Sequence, residues 1–280
     1  MRGILQGGAG LRPNSTASKM KHRKIPCALA CVALALVSRV GSTSDTQATV
    51  PGILTDEQIA KLLDEGQRVL QQGIPDRAIT QYFDPIIESF RAAHRDSKFV
   101  VYAAHSPAES LMYLVTAAAG QEKSKHAANV IVVSGAWTDA LELKAYALSE
   151  LHRPDEAKMA LHEAIALSPS YALPWIELGS VLQSEKDWPA MMEAFQNAED
   201  AVALMEDSAQ KNRMLARALR GKGFVLTELG KLDESEALYK RCLTLDADDG
   251  MAKRELEYIA GLRKQRVQNP APEAPVPDSK

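Results

Sequence analysis

Residues 172–205 read ALPWIELGSVLQSEKDWPAMMEAFQNAEDAVALM, and their spacing decides the fold. Trp175, Leu178, Gly179 and Leu182 recur three to four residues apart, and Phe195 and Ala198 continue the pattern, which is the interval of one helix face. Pro189 stands between the two runs, where a second helix would start and its missing N–H does no harm. The neighbouring segments follow the same plan at the same length of 34 residues. Residues 138–171 carry Ala145, Ala157, Leu161, Ala164 and Pro169; residues 216–249 carry Gly223, Leu226, Gly230, Ser235, Tyr239 and Cys242. Self-similarity at a fixed period of this size marks a stack of supersecondary units that bury their apolar faces against one another.

The residue types suit pairs of antiparallel helices. Close crossings take small residues: Gly66, Ala145, Gly179 and Gly223 on first helices, Ala78 and Ala157 on second ones. Large residues one turn later, Tyr82, Leu161, Phe195 and Tyr239, fill the space to the next unit. Gly66, Gly73, Ala78 and Tyr82 are spaced like Gly223, Gly230, Ser235 and Tyr239, which predicts a diverged copy over 59–92. Thr55-Asp56-Glu57-Gln58 reads as a capping box opening its first helix. Pro75 and Pro154 start second helices as Pro189 does. Residues 104–137 fill one further unit of helical character, opened by Ser106-Pro107-Ala108-Glu109. Two stretches break the period, 93–103 and 206–215. Lys98 to Tyr102 is left open between helix end, loop and strand, whereas Asp207 to Asn212 continues as helix. Residues 251–266 read as a charged closing helix, and the Pro-rich residues 269–280 as an extended, disordered tail.

The run Trp175-x-x-Leu178-Gly179-x-x-Leu182, with Ala157-x-x-x-Leu161 and Pro169, resembles the tetratricopeptide repeat, and the resemblance covers residues 138–249. It implies an all-α, right-handed solenoid of helical hairpins closed by a C-terminal capping helix. It also implies a groove lined by the first helix of each unit. The groove positions are Asp139, Glu142, Tyr146, Ser149 and Glu150, then Leu173, Ile176, Ser180, Gln183 and Ser184, then Arg217, Arg220, Phe224, Thr227 and Glu228. Glu142, Tyr146, Ile176, Ser180, Arg217, Arg220 and Phe224 are the expected partner-binding residues, running from an acidic end through an apolar middle to a basic end. Repeats that clamp a C-terminal carboxylate use Lys and Asn where this chain has Glu142 and Tyr146, so that mode is not expected.

Composition narrows the function. The formal charge of −3 divides unevenly, because residues 1–48 hold seven basic residues and one acid. The remainder has 26 basic against 35 acidic residues, a charge of −9, which argues against nucleic acid as a partner. Lys21, Arg23 and Lys24, the 13-residue apolar run Ile25–Val37 and the small and polar residues 38–48 predict a secretory signal peptide; a membrane-spanning helix needs roughly 20 residues. Cleavage after Ser42 or after Ala48 both fit, and Met20 is the expected start. Membrane contact is expected only if Cys31, preceded by Ala28-Leu29-Ala30, is lipidated. That leaves Cys242 alone in the body, with no disulfide and no zinc set. The six histidines are scattered, and the phosphate-loop, Gly-x-Ser-x-Gly and His-Glu-x-x-His motifs do not occur. His105 with Ser106 and Glu109 reads as local capping chemistry, and Cys242 as inert packing. No cofactor, metal site or catalytic residue is expected.

The expected organisation is therefore 1–48 as extension and signal peptide, 49–137 as a diverged helical region, 138–249 as repeats, 250–268 as capping helix and 269–280 as tail. The expected function is a non-catalytic scaffold or adaptor of the cell envelope, in a bacterial periplasm, binding a protein or peptide. The alternatives are an accessory module presenting substrate to an enzyme on another chain, and a self-assembling envelope component; homo-oligomerisation is left open.

Overall fold

The structure, a computed structural model, describes residues 52–123, 129–206 and 208–268, all of one compact unit. The expected signal segment with Cys27 and Cys31, and the Pro-rich tail, lie outside the described residues. Thr55 opens helix α1 (Asp56–Gln71) with a full capping box: its Oγ1 accepts from Gln58 N, and its N–H donates to Gln58 Oε1 at 2.8 Å. Pro75 then starts α2 (Pro75–Ala78), which continues through a π-helical turn (Ile79–Phe83) into α3 (Asp84–His94). Three more hairpins follow the expected register. They are α5 (Ala136–Glu150) with α6 (Pro154–Leu167), α7 (Ala172–Leu182) with α8 (Trp188–Ala203), and α9 (Ala209–Glu228) with α10 (Leu232–Leu245); α11 (Gly250–Gln268) closes the array. Ser208 caps α9, its Oγ accepting from Lys211 N at 3.1 Å, so the second period break lengthens that helix from Ala209 onward.

The turn inside each hairpin carries one left-handed residue: Gly73, His152, Lys186 and Gly230, with φ between 57° and 77°. Glycine meets that backbone without strain, and the same conformation recurring at His152 and Lys186, 34 residues apart, is the repeat read in the backbone. The crossings are as tight as the small residues require. A Cβ on Gly179 would lie 2.7 Å from the Phe195 ring and one on Gly223 would lie 2.9 Å from Tyr239. Ser235 occupies the small position of α10 and satisfies its buried hydroxyl on Gly223 O at 2.8 Å. In the first hairpin the filler shifts by one residue. The π turn inserts an extra residue, so Phe83, fully buried, takes the place expected for Tyr82, which is half-buried.

The largest departure from the expected plan is residues 100–134. Instead of a purely helical unit, they form strand β1 (Val100–Ala104), helix α4 (Pro107–Lys123) and strand β2 (Val130–Ser134), with the strands paired in parallel. Val100 to Val101 and Val130 to Val133 are β-branched runs, which suit a pleated sheet better than a helix. Both faces are covered, as parallel pairs require. Tyr102 stacks on Tyr113 of α4 at 4.8 Å on one face, and Val101 and Val133 pack into the main core on the other. Ser168 pins the unit to the array: its Oγ donates to Ala103 O at 2.6 Å and accepts from Thr138 Oγ1 at 2.6 Å. The array remains all-α in class, with this small sheet set between its first and second hairpins.

Candidate partner-binding face

The first helices of the three regular hairpins, α5, α7 and α9, stand side by side. Helical spacing brings Asp139 and Glu142 of α5, Glu177 of α7 and Arg217 of α9 to one strip across that face. Arg217 pairs with Glu177, whose side chain is 8% exposed. Burial, reinforced by the charges of Glu177 and Asp139, holds Glu142 well above the usual carboxylate range; the pull of Arg217 does not reverse this. The strip thus keeps a carboxyl group in a setting that disfavours its charge.

At the α5 end the sheet insert adds a second set of groups. The His105 ring stacks on Tyr171 at 3.8 Å between centroids. Its Nε2 lies 3.1 Å from Asp139 Oδ1 and its Nδ1 lies 3.4 Å from Glu109 Oε2. Burial opposes charge on this ring, but the hydrogen bonds to Asp139 and Glu109 outweigh it and raise the pKa from 6.5 to about 9. Burial likewise opposes charge on Glu109, and the hydrogen bonds from His105 and from Tyr113, whose hydroxyl donates at 2.6 Å, bring that carboxyl below its usual range. Ser106 Oγ accepts from Glu109 N at 3.1 Å, which is the capping role expected for it. Burial, then the carboxylates of Asp139, Glu142 and Glu109, raise the Tyr171 phenol well above its ordinary value.

A pH prediction follows from the imidazolium. Its folded pKa lies above the unfolded value, so its contribution to stability is complete below about pH 6.5 and is lost as pH rises through about 9. The groups facing it are Glu109 on α4, Asp139 on α5 and Tyr171 before α7. Stability to unfolding should fall between pH 6.5 and 9.5, by an amount on the order of 1–3 kcal/mol, and His105→Gln should flatten that slope. An unchanged slope in the variant would remove His105 from this role.

The residues expected at the groove divide into two groups. Glu142 and Tyr146 of α5, and Ser180 of α7, are half-buried on these helices; Ser180 Oγ donates to Ile176 O at 3.0 Å. Phe224 of α9 is half-buried and meets Trp188 edge-on at 6.1 Å. Two expectations are corrected. Ile176 is only 2% exposed and belongs to the core. Arg220 is not held at the groove with Arg217: it pairs with Asp249 ahead of α11, with its own side chain 14% exposed and that of Asp249 5%. Glu177 was missed, although a lone acid in the otherwise apolar run of α7 was its signal; His105 reaches the strip through the sheet insert, and Tyr171 from the turn between α6 and α7. Cys242 is fully buried, and burial pushes its thiol up to about 12, consistent with inert packing.

Comparison with known proteins bears on the fold. Residues 216–249 match the family model described as Tetratricopeptide repeat. The structure of PilF from Pseudomonas aeruginosa is similar with a TM-score of 0.51 at 14% identity, over 76% of this chain and 72% of that one. MamA from Desulfovibrio magneticus RS-1 gives a TM-score of 0.48 at 14% identity, over 77% of this chain and 90% of that one. The first repeat domain of Spaghetti (RPAP3), solved with an HSP90 peptide, gives 0.40 at 20% identity, over 45% of this chain and 93% of that one. No curated protein sequence matches this chain.

Proposed function

We propose that this chain, a tetratricopeptide-repeat protein, is a non-catalytic adaptor that binds a protein or peptide on the face formed by α5, α7 and α9. The observation that supports the reading most is the Glu142 strip. Asp139, Glu142 and Glu177 face Arg217, with the His105 imidazolium beside Asp139, and Glu142 is held where its charge is disfavoured. A carboxylate kept at such a cost on a rigid helical face suits a partner that brings a cation to it. Tyr146 and Phe224 supply aromatic surface beside the strip. The helices are preformed, so binding requires little ordering of this chain.

The basic and apolar segment over residues 20–48 supports a place of action in the cell envelope, in a bacterial periplasm; mapping the mature N-terminus tests that part separately. The adaptor reading is tested by co-purification from envelope extract of the wild type, Glu142→Gln, and Tyr146→Ala/Phe224→Ala. Glu142→Gln should raise stability at neutral pH by roughly 0.5–2 kcal/mol, since it removes a disfavoured charge, and should still weaken partner retention. The aromatic double variant should lose the partner while remaining folded. Equal retention by all three proteins would move the site off this face.

A further inference from the structure

Among the described residues, the register of the small sheet leaves one edge open. Val100 N donates to Asn129 O at 2.9 Å and Gly135 N donates to Ala104 O at 2.8 Å. In a parallel ladder these two bonds fix the alternation between them. Val100, Tyr102 and Ala104 of β1 bond across to β2, and Ile131 and Val133 of β2 bond back. The N–H and C=O groups of Val130, Val132 and Ser134 therefore point to the opposite edge. On β1 the outward residues are Val101 and Ala103, and that edge is closed by the Ser168 hydroxyl on Ala103 O. β1 and α4 are the described elements packed most extensively against β2, Val133 also reaches the main core, and among the described residues the sheet order ends at β2.

We propose that this edge receives β2 of a second copy of the chain, antiparallel about a two-fold axis through Val132, to give a sheet of order β1-β2-β2-β1. A register centred on Val132 sets Val132 opposite Val132 and Val130 opposite Ser134, so the outward N–H and C=O groups of those residues all find partners. The strand Val130-Ile-Val-Val-Ser134 is self-complementary in the sense an isologous contact needs, because it places no charge opposite its own copy. It also lacks the lysine, proline or bulge with which edge strands are protected. Two strands are fewer than a sheet ordinarily needs, and pairing doubles them.

The helix spacing agrees independently. α4 lies over both strands on the Tyr102 face, and the two-fold axis keeps its copy on the same side of the joined sheet. Two strand spacings of about 4.8 Å put the two α4 helices roughly 10 Å apart and antiparallel, which is a helix-packing distance. The apolar surface left in the open is concentrated here. Of the ten large hydrophobic side chains exposed among the described residues, four belong to this insert, Val100, Leu111, Leu114 and Val115, and a fifth, Phe99, immediately precedes it.

The test is sedimentation equilibrium of the purified protein over a range of concentrations, with Val132→Pro beside the wild type. Wild type should be dimeric. The Val132 N–H makes no bond to β1, so proline leaves the internal ladder whole, and the variant should sediment as a folded monomer with a dimer dissociation constant at least tenfold higher. Amide hydrogen exchange of the wild type gives a reading that needs no variant: protection at Val130, Val132 and Ser134 should rise with protein concentration. A wild type monomeric at every concentration overturns the proposal. So does a dimer that Val132→Pro leaves unchanged, or fast exchange of those amides while the dimer is populated.

Discussion

Replacing Asp249 by alanine should cost about 3–5 kcal/mol, the largest loss expected from any single change outside the apolar core. The carboxylate has two duties. One oxygen pairs with Arg220. The other, Oδ1, accepts from Met251 N and Ala252 N, both at 3.0 Å, and so caps α11. With Asp249 gone, the guanidinium of Arg220 stays in the interior without the countercharge it pairs with; its Nε is already buried with no hydrogen-bond partner among the described residues. The cap adds about 1 kcal/mol. Asp249→Asn keeps an acceptor for the cap and loses the charge, so it should fall between wild type and Asp249→Ala. Arg220→Met combined with Asp249→Asn should recover much of the loss, since the penalty lies in an unpaired charge more than in a missing attraction. Urea unfolding curves of the four proteins check this; an Asp249→Asn protein as stable as wild type would show that charge is not the cause.

Gly221→Ala should destabilise by about 3 kcal/mol, against the ordinary sign of the substitution. In an unhindered helix alanine is better than glycine by about 1 kcal/mol. Here the added Cβ would lie 2.3 Å from the Phe195 ring, with two more ring atoms at 2.4 Å. Phe195 is 1% exposed and cannot retreat, because Gly179 of its own hairpin closes on the same ring from α7. The ring is the joint between two successive hairpins, held by a glycine from each. Gly179→Leu should lose about 1–3 kcal/mol for the same reason. Phe195→Leu should be costly alone and should soften the effect of Gly221→Ala when the two are combined, a coupling that a double-mutant cycle of thermal unfolding measures. Additive losses would place the strain elsewhere.

The sequence was most informative where one residue has one local duty. Capping at Thr55 and Ser106, the starts at Pro75 and Pro154, and the Gly179–Phe195 and Gly223–Tyr239 pairs were legible because spacing and side-chain volume determine them. Gly221 was not, since it meets Phe195 from the following hairpin. The π turn at Ile79–Phe83 was also hidden: one extra backbone residue leaves the composition unchanged and moves the interior position from Tyr82 to Phe83. Val130-Ile-Val-Val133 carried a strand signal, but a 34-residue frame laid over 104–137 favoured helix. Asp139 and Glu142 were legible as face residues from helical position. Their partners were not, because His105, Tyr171 and Glu177 arrive from other elements, and Arg220 was assigned to the face when its countercharge lies 29 residues onward at Asp249.

The central claim, that a partner sits on the face of α5, α7 and α9, is tested most directly by site-specific photo-crosslinking in envelope extract. One protein carries the photoreactive residue at position 146 on α5, and the other carries it at position 159 on α6, where Met159 is 66% exposed. The account predicts a discrete crosslinked partner from position 146 that Glu142→Gln diminishes, and none from position 159. The same partner captured from position 159, with none from position 146, would contradict it.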